Sequence, residues 1–181
     1  VPEWQKLSTM AQTFLKSDGA PEAVALLSKA VELNPQSATL YAELADARLA
    51  TGSTQGALDA INHAIELDGN SADRYRIRGD ILFSMGNLND ARNDYNSAIR
   101  LNPDNLDWLV RRAEISLELD DLNGVIRDIA QATRDRKKAP AQAWFVRAQA
   151  YLRQGRPTEA ISDFDQTLAK DPLNHAALNG R

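Results

Sequence analysis

Apolar residues along this chain recur three and four positions apart, the spacing of one face of an α-helix. Leu44 and Leu49 share such a face in one stretch, and Leu58, Ile61 and Ile65 share one in the next. No stretch alternates apolar with polar as a half-buried strand does, and no hairpin signal competes, so the pattern predicts amphipathic helices throughout. Turns divide them. Asp18-Gly19, Thr51-Gly52, Met85-Gly86-Asn87 and Gln154-Gly155-Arg156 separate helices two by two, with glycine suited to the left-handed backbone at a helix C-terminus. Asn34-Pro35, Asn102-Pro103 and Asp171-Pro172 close each pair, because the residue before proline is pushed out of helical geometry.

The pairs repeat. Ala30-Val31-Glu32-Leu33-Asn34-Pro35, Ala64-Ile65-Glu66-Leu67-Asp68-Gly69 and Ala98-Ile99-Arg100-Leu101-Asn102-Pro103 are near-copies spaced by 34 residues. Thr167-Leu168-Ala169-Lys170-Asp171-Pro172 follows the third by 69 residues, two periods plus one inserted position. In this register small residues form the columns Ala11, Ala45, Gly79, Ala113, Ala148 and Ala23, Ala57, Ala91, Val125, Ala160, and a third at Ala30, Ala64, Ala98, Ala132, Thr167. Bulky ones form Leu7, Tyr41, Tyr75, Leu109, Trp144 and Leu27, Ile61, Tyr95, Ile129, Phe164. Antiparallel helices approach closely only at small side chains, and large ones fill the hollows beside them. The columns therefore predict nested helical hairpins.

An early tyrosine or tryptophan in the first helix, glycine or alanine four positions on, and alanine, bulky, alanine, proline in the second together resemble the tetratricopeptide repeat family. The resemblance covers units 4–37, 38–71, 72–105, 106–140 and 141–174, with residues 175–181 starting a further helix. It implies an all-α fold, one right-handed superhelical solenoid over residues 1–181, in which the first, or A, helices line a concave groove that receives peptides or protein segments. Three positions depart from the pattern: Gly69 and Lys137 stand where proline is expected, and Asp120 where the turn glycine is. The run Arg134-Asp135-Arg136-Lys137-Lys138 is expected to extend or fray a helix end, where cations suit the dipole. A solenoid end needs a cap, so residues 175–181 are expected to cover Phe164 and Leu168, and the array to continue further.

Helical phase places Ser8, Gln12, Glu43, Asp46, Asp73, Arg76, Ile77, Asp80, Asp107, Val110, Arg111, Glu114, Glu118, Phe145, Val146, Gln149 and Arg153 in that groove. Acids outnumber bases there, which predicts a partner of net basic character, with Arg76 and Arg111 free to take an acid embedded in it. Val110, Val146 and above all Phe145 are the expected apolar anchors. Chaperone-binding members of the family hold a C-terminal carboxylate with lysine, asparagine, asparagine, lysine and arginine. Ser8, Gln12, Glu43, Asp73 and Ile77 stand at those places, so heat-shock chaperone tails are not expected partners.

Composition narrows the chemistry. Hydrophobic residues make up 43% and charged residues 25% of 181, the balance of a folded chain, and the net charge of -4 argues against nucleic acid. There is no cysteine, hence no disulfide, thiol nucleophile or thiolate metal site, and two histidines, His63 and His175, more than three units apart. No cofactor, metal or catalytic constellation is expected; the glycines fall at turns and not in a phosphate loop. Arg78-Gly79-Asp80 matches an adhesion tripeptide, but its place in mid-helix at a packing column predicts a structural role. No run of about 18 apolar residues predicts membrane insertion. The chain opens Val-Pro-Glu, and cytoplasm and periplasm are both compatible with it. The expected function is a non-enzymatic scaffold or adaptor, within a larger assembly or secretion apparatus; the alternatives are a regulatory or substrate-delivering segment of a longer enzyme, and a self-associating module.

Overall fold

The computed structural model describes all 181 residues, and every regular element in it is a helix. Residues Val1–Leu101 and Asn102–Arg181 form two compact units. The first contains α1 (Glu3–Leu15), α2 (Ala20–Leu33), α3 (Ala38–Ala50), α4 (Thr54–Leu67), α5 (Ala72–Ser84) and α6 (Leu88–Leu101). Each odd helix packs against the next even one as a hairpin, α2 and α4 each pack against the first helix of the following hairpin, and α1, α3 and α5 lie side by side. The second unit repeats the scheme with α7 (Leu106–Glu118), α8 (Leu122–Ala132), α9 (Ala141–Arg153) and α10 (Pro157–Lys170), followed by the short α11 (His175–Gly180) on α10. No helix is long and apolar enough to cross a membrane.

The columns are the core. Leu27, Ile61, Tyr95, Ile129 and Phe164 are all at most 2% exposed, and Ala30, Ala64, Ala98, Ala132 and Thr167 are fully buried. Ala11, Ala45, Ala113 and Ala148 are likewise fully buried, with Gly79 buried beside them. The helices approach closely at Gly79: a Cβ there would lie 2.9 Å from the Tyr95 ring, which would have to shift. Hydrogen-bonded caps start several A helices, with Ser37 accepting from the Leu40 amide, Asn105 from Trp108 and Asn174 from Ala177. Where Gly69 replaces proline, Arg74 bonds both the carbonyl and the carboxylate of Asp68 and clasps the turn; this bond and the Asn70 amide hold the Asp68 carboxyl below its ordinary value. α11 closes on Phe164, against whose ring a Cβ at Gly180 would collide, and Ala177 joins the same cluster with Leu168.

The left-handed turn position is occupied by Gly52, Gly86 and Gly155 at φ of 77°, 79° and 70°, and by Asp18 and Asp120 at 57° and 58°. The first hairpin thus turns on Asp18, one residue before the glycine that sequence inspection would choose. A left-handed L-residue costs roughly 1–2 kcal/mol, less for aspartate, and glycine's greater unfolded-state freedom offsets part of that. Asp18→Gly and Asp120→Gly are each expected to stabilise their unit by about 0.5 kcal/mol, and Gly86→Ala to cost about 1 kcal/mol, as read by urea unfolding.

Candidate functional site

In the first unit α1, α3 and α5 bring Ser8, Gln12, Glu43, Asp46, Asp73, Arg76 and Asp80 onto one face. The Ser8 hydroxyl and the Gln12 amide both donate to Glu43, at 2.7 and 2.8 Å, linking the first two A helices. Arg76 sits among carboxylates, 3.0 Å from Asp80, 3.7 Å from Asp73 and 3.9 Å from Asp46. The Tyr95 hydroxyl donates to the other Asp80 oxygen at 2.7 Å. Burial is the main cause that pushes the Asp46 carboxyl above its ordinary value; Arg76 opposes it, and the charges of Asp80, Asp73 and Glu43 add to it. Like charges thus crowd Asp46 on this face, with Arg76 ion-paired to three of the carboxylates. Ile77 is 4% exposed and belongs to the core beneath this face.

The corresponding helices of the second unit, α7 and α9, are arranged differently. Arg111 pairs with Glu114 at 2.8 Å, and Glu114 also accepts from Gln142 at 2.9 Å. Arg153 donates to the Leu117 carbonyl at 2.6 Å and stands 3.7 Å from Asp120. Asp107 and Glu118 are exposed and Gln149 is half-buried.

Two sequence expectations change here. Val110 and Val146 are 5% and 1% exposed, interior residues that offer no apolar face, and Phe145 is half-buried with its ring 6.0 Å from that of Phe164. The cause is that an A helix packs against both its own partner and its neighbours in the stack, so its buried arc is wider than the stripe of a surface helix. Arg76 and Arg111 are also not free: each is already engaged by acids of its own helix.

Sequence reasoning also passed over three ion pairs joining the helices of a hairpin. Arg78 meets Asp94 at 2.7 and 2.8 Å, Arg112 meets Asp128 at 2.8 and 2.7 Å, and Arg147 meets Asp163 at 2.7 and 2.8 Å, all two-pronged. The bonds to Asp94 and Asp163 hold the Arg78 and Arg147 guanidinium groups above their ordinary value against the effect of burial. The signal was available: the same two columns hold Met10 with Leu26 and Leu44 with Ala60 in the first two units, so arginine and aspartate arrive together or not at all. These pairs also absorb the tripeptide, since Arg78 and Asp80 are bonded and Gly79 lies under Tyr95.

Comparison with known families and structures follows the same lines. Family models described as tetratricopeptide repeat match residues 15–81 and 126–175, and one described as TPR repeat matches residues 79–115. A tetratricopeptide repeat protein from Parabacteroides merdae superposes with a TM-score of 0.86 at 20% identity, over 99% of this chain and 71% of that one. The MamA protein does so with a TM-score of 0.82 at 18% identity, over 94% of this chain and 92% of that one. YrrB, described as a TPR protein with an unusual peptide-binding site, gives a TM-score of 0.77 at 17% identity, over 96% and 89%. Comparison with curated protein sequences gives no match.

Proposed function

The chain belongs to the tetratricopeptide repeat family, and from that premise we propose that it is a non-enzymatic protein-interaction scaffold, one array over residues 1–181 of five units and the start of a sixth. Its principal binding surface is the α1, α3, α5 face of the first unit, and the partner is a protein segment of net basic character. One observation carries this reading: Asp80, Asp73 and Asp46 crowd the Arg76 guanidinium at 3.0, 3.7 and 3.9 Å, and Asp46 is held above its ordinary value partly by its like-charged neighbours Asp80, Asp73 and Glu43. A lysine or arginine placed there relieves repulsion already present in the free protein, and binding and proton release from Asp46 become linked. The description of YrrB as peptide-binding agrees with such a use of the fold. In the second unit Arg111 and Gln142 both bond Glu114, and Arg153 bonds the Leu117 carbonyl, so this face contributes shape and hydrogen bonds more than charge.

The test uses a fluorescein-labelled lysine- and arginine-rich peptide and anisotropy titration. Asp73, with its side chain 74% exposed, and Asp46, at 46%, tolerate substitution without loss of packing, so Asp46→Lys/Asp73→Lys is the informative variant. Exposed charges contribute up to about 1 kcal/mol each, so the pair is expected to weaken binding by roughly tenfold or more. Lowering the pH through the raised Asp46 pKa neutralises that carboxylate and weakens binding in the same direction. Undiminished affinity in the double variant removes the reading.

A further inference from the structure

The fourth even helix breaks the pattern of the others. α2, α4, α6 and α10 are each 14 residues long, whereas α8 has 11. The connection after it runs over residues 133–140, against four residues at 34–37, 68–71, 102–105 and 171–174. Three residues withheld from the helix and the one inserted position account for the excess. The four-residue turns carry no cation, while this segment carries Arg134, Arg136, Lys137 and Lys138, all exposed. The sequence expectation of an extended or frayed helix is thus replaced by an ordered loop.

Its order has visible causes. The Asp135 carboxylate accepts from the Lys137 amide at 3.0 Å, and the Asp135 carbonyl accepts from Lys138 and Ala139 at 3.1 and 3.0 Å. Lys170, its ammonium 5.3 Å from the centre of the Trp144 ring, reaches across from α10 and donates to the carbonyls of Lys137 and Ala139 at 3.0 and 2.6 Å. The backbone is pinned inward and the cationic side chains stand outward. Elsewhere in this unit Arg111, Arg112, Arg147, Arg153, Arg156 and Arg181 each meet an acid. Arg134, Arg136 and Lys137 have no such partner, and Lys138 has only Asp135 at 3.9 Å.

Beside the loop lies a recess of roughly 430 Å³, with Arg134, Lys138 and Gln131 on its wall and Pro103 and Leu106 as apolar surface. We propose that this loop and recess form a second docking site, distinct from the face of the first unit, that takes an acidic protein segment with carboxylates on either side of an aliphatic residue. The carboxylates pair with Arg134, Arg136 and Lys138, and the aliphatic side chain rests on Pro103 and Leu106. Asp104 and Asp135 also line the recess, and the chain carries a net charge of -4. A continuous row of phosphates, on nucleic acid or on a lipid surface, meets repulsion that a peptide with spaced carboxylates avoids. A preformed loop loses little conformational freedom on binding.

The experiment titrates a fluorescein-labelled peptide of glutamate and aspartate around a central leucine into the full chain at low and at physiological salt. Parallel titrations use phosphatidylserine vesicles and single-stranded polynucleotide. Binding to the peptide that falls with salt, and falls at least tenfold in Arg134→Glu/Arg136→Glu/Lys138→Glu, is the expected result. The exposed positions leave the thermal unfolding midpoint unchanged in that variant, which circular dichroism checks. Asp46→Asn/Asp73→Asn, which removes charge from the first-unit face without making it basic, leaves the acidic-peptide affinity within about twofold, so failure of this site and failure of the first-unit face read out separately. Equal affinity in the triple variant, tighter binding to vesicles or polynucleotide than to the peptide, or no peptide binding by the unsubstituted protein overturns the proposal.

Discussion

Replacing Asp128 with alanine lowers the stability of residues 102–181 by about 3 kcal/mol, and adding Arg112→Leu restores most of the loss. Asp128 is nearly inaccessible, its side chain 6% exposed, while that of Arg112 is 20% exposed. Removing the carboxylate takes both prongs of this bond away from a guanidinium held between two helices. Breaking a buried pair from one side costs about 3–5 kcal/mol, whereas replacing both partners with well-packed apolar groups is often neutral, and the partial exposure of Arg112 places this case at the lower end. The chain contains its own control. Leu44 and Ala60 occupy the same two columns in an earlier hairpin at 2% and 4% exposure, so the double variant copies a packing that this fold already uses. Urea unfolding of the two single variants and the double gives the coupling energy, expected to exceed about 2 kcal/mol. Additive losses mean that the pair does not staple the two helices together.

Gly79→Ala is the second large effect, expected to destabilise residues 1–101 by about 2–3 kcal/mol. Ala45 and Ala113 fill the same column where the facing column holds Ile61 and Ile129, but Gly79 faces Tyr95. A methyl group there sits 2.9 Å from two ring carbons and 3.4 Å from the Ala91 carbonyl, so the ring has to move. Overpacking of this kind costs about 1–3 kcal/mol, and displacing the ring also loosens the 2.7 Å bond from its hydroxyl to Asp80. Tyr95→Phe reports on the second part: it is expected to cost about 1 kcal/mol in the unsubstituted protein and close to nothing alongside Gly79→Ala. Equal costs in both backgrounds mean that the hydroxyl bond survives the methyl group.

The hairpin architecture was legible because close packing acts on side-chain size at fixed offsets, and size is what a sequence records most directly. Turn chemistry was legible in part. Glycine marks Gly52, Gly86 and Gly155, but Asp18 and Asp120 adopt the same backbone, and proximity to Gly19 obscured the first of them. Legibility failed on the faces of the A helices. Helical phase identifies the side of a helix opposite its own partner, yet neighbouring hairpins cover part of that side, so Val110 and Val146 are interior while Asp46 and Asp73 stay outside. The Arg–Asp staples went unread because inspection of columns for apolar matches passes over polar positions; asking which polar residues change together between units of one chain recovers them. The loop over residues 133–140 departs from its helical expectation because Lys170, 30 or more positions away in sequence, supplies its backbone partners.

The claim on which the functional reading depends is that the face built by α1, α3 and α5 is where a basic segment binds. Amide and side-chain chemical shifts followed during titration with the lysine- and arginine-rich peptide test it most directly. The account predicts the largest perturbations at Ser8, Gln12, Glu43, Asp46, Asp73 and Arg76, with the Asp46 carboxyl titrating at a lower pH in the complex than in the free protein. Perturbations concentrated on the even-numbered helices, or an Asp46 titration that the peptide does not move, contradict it.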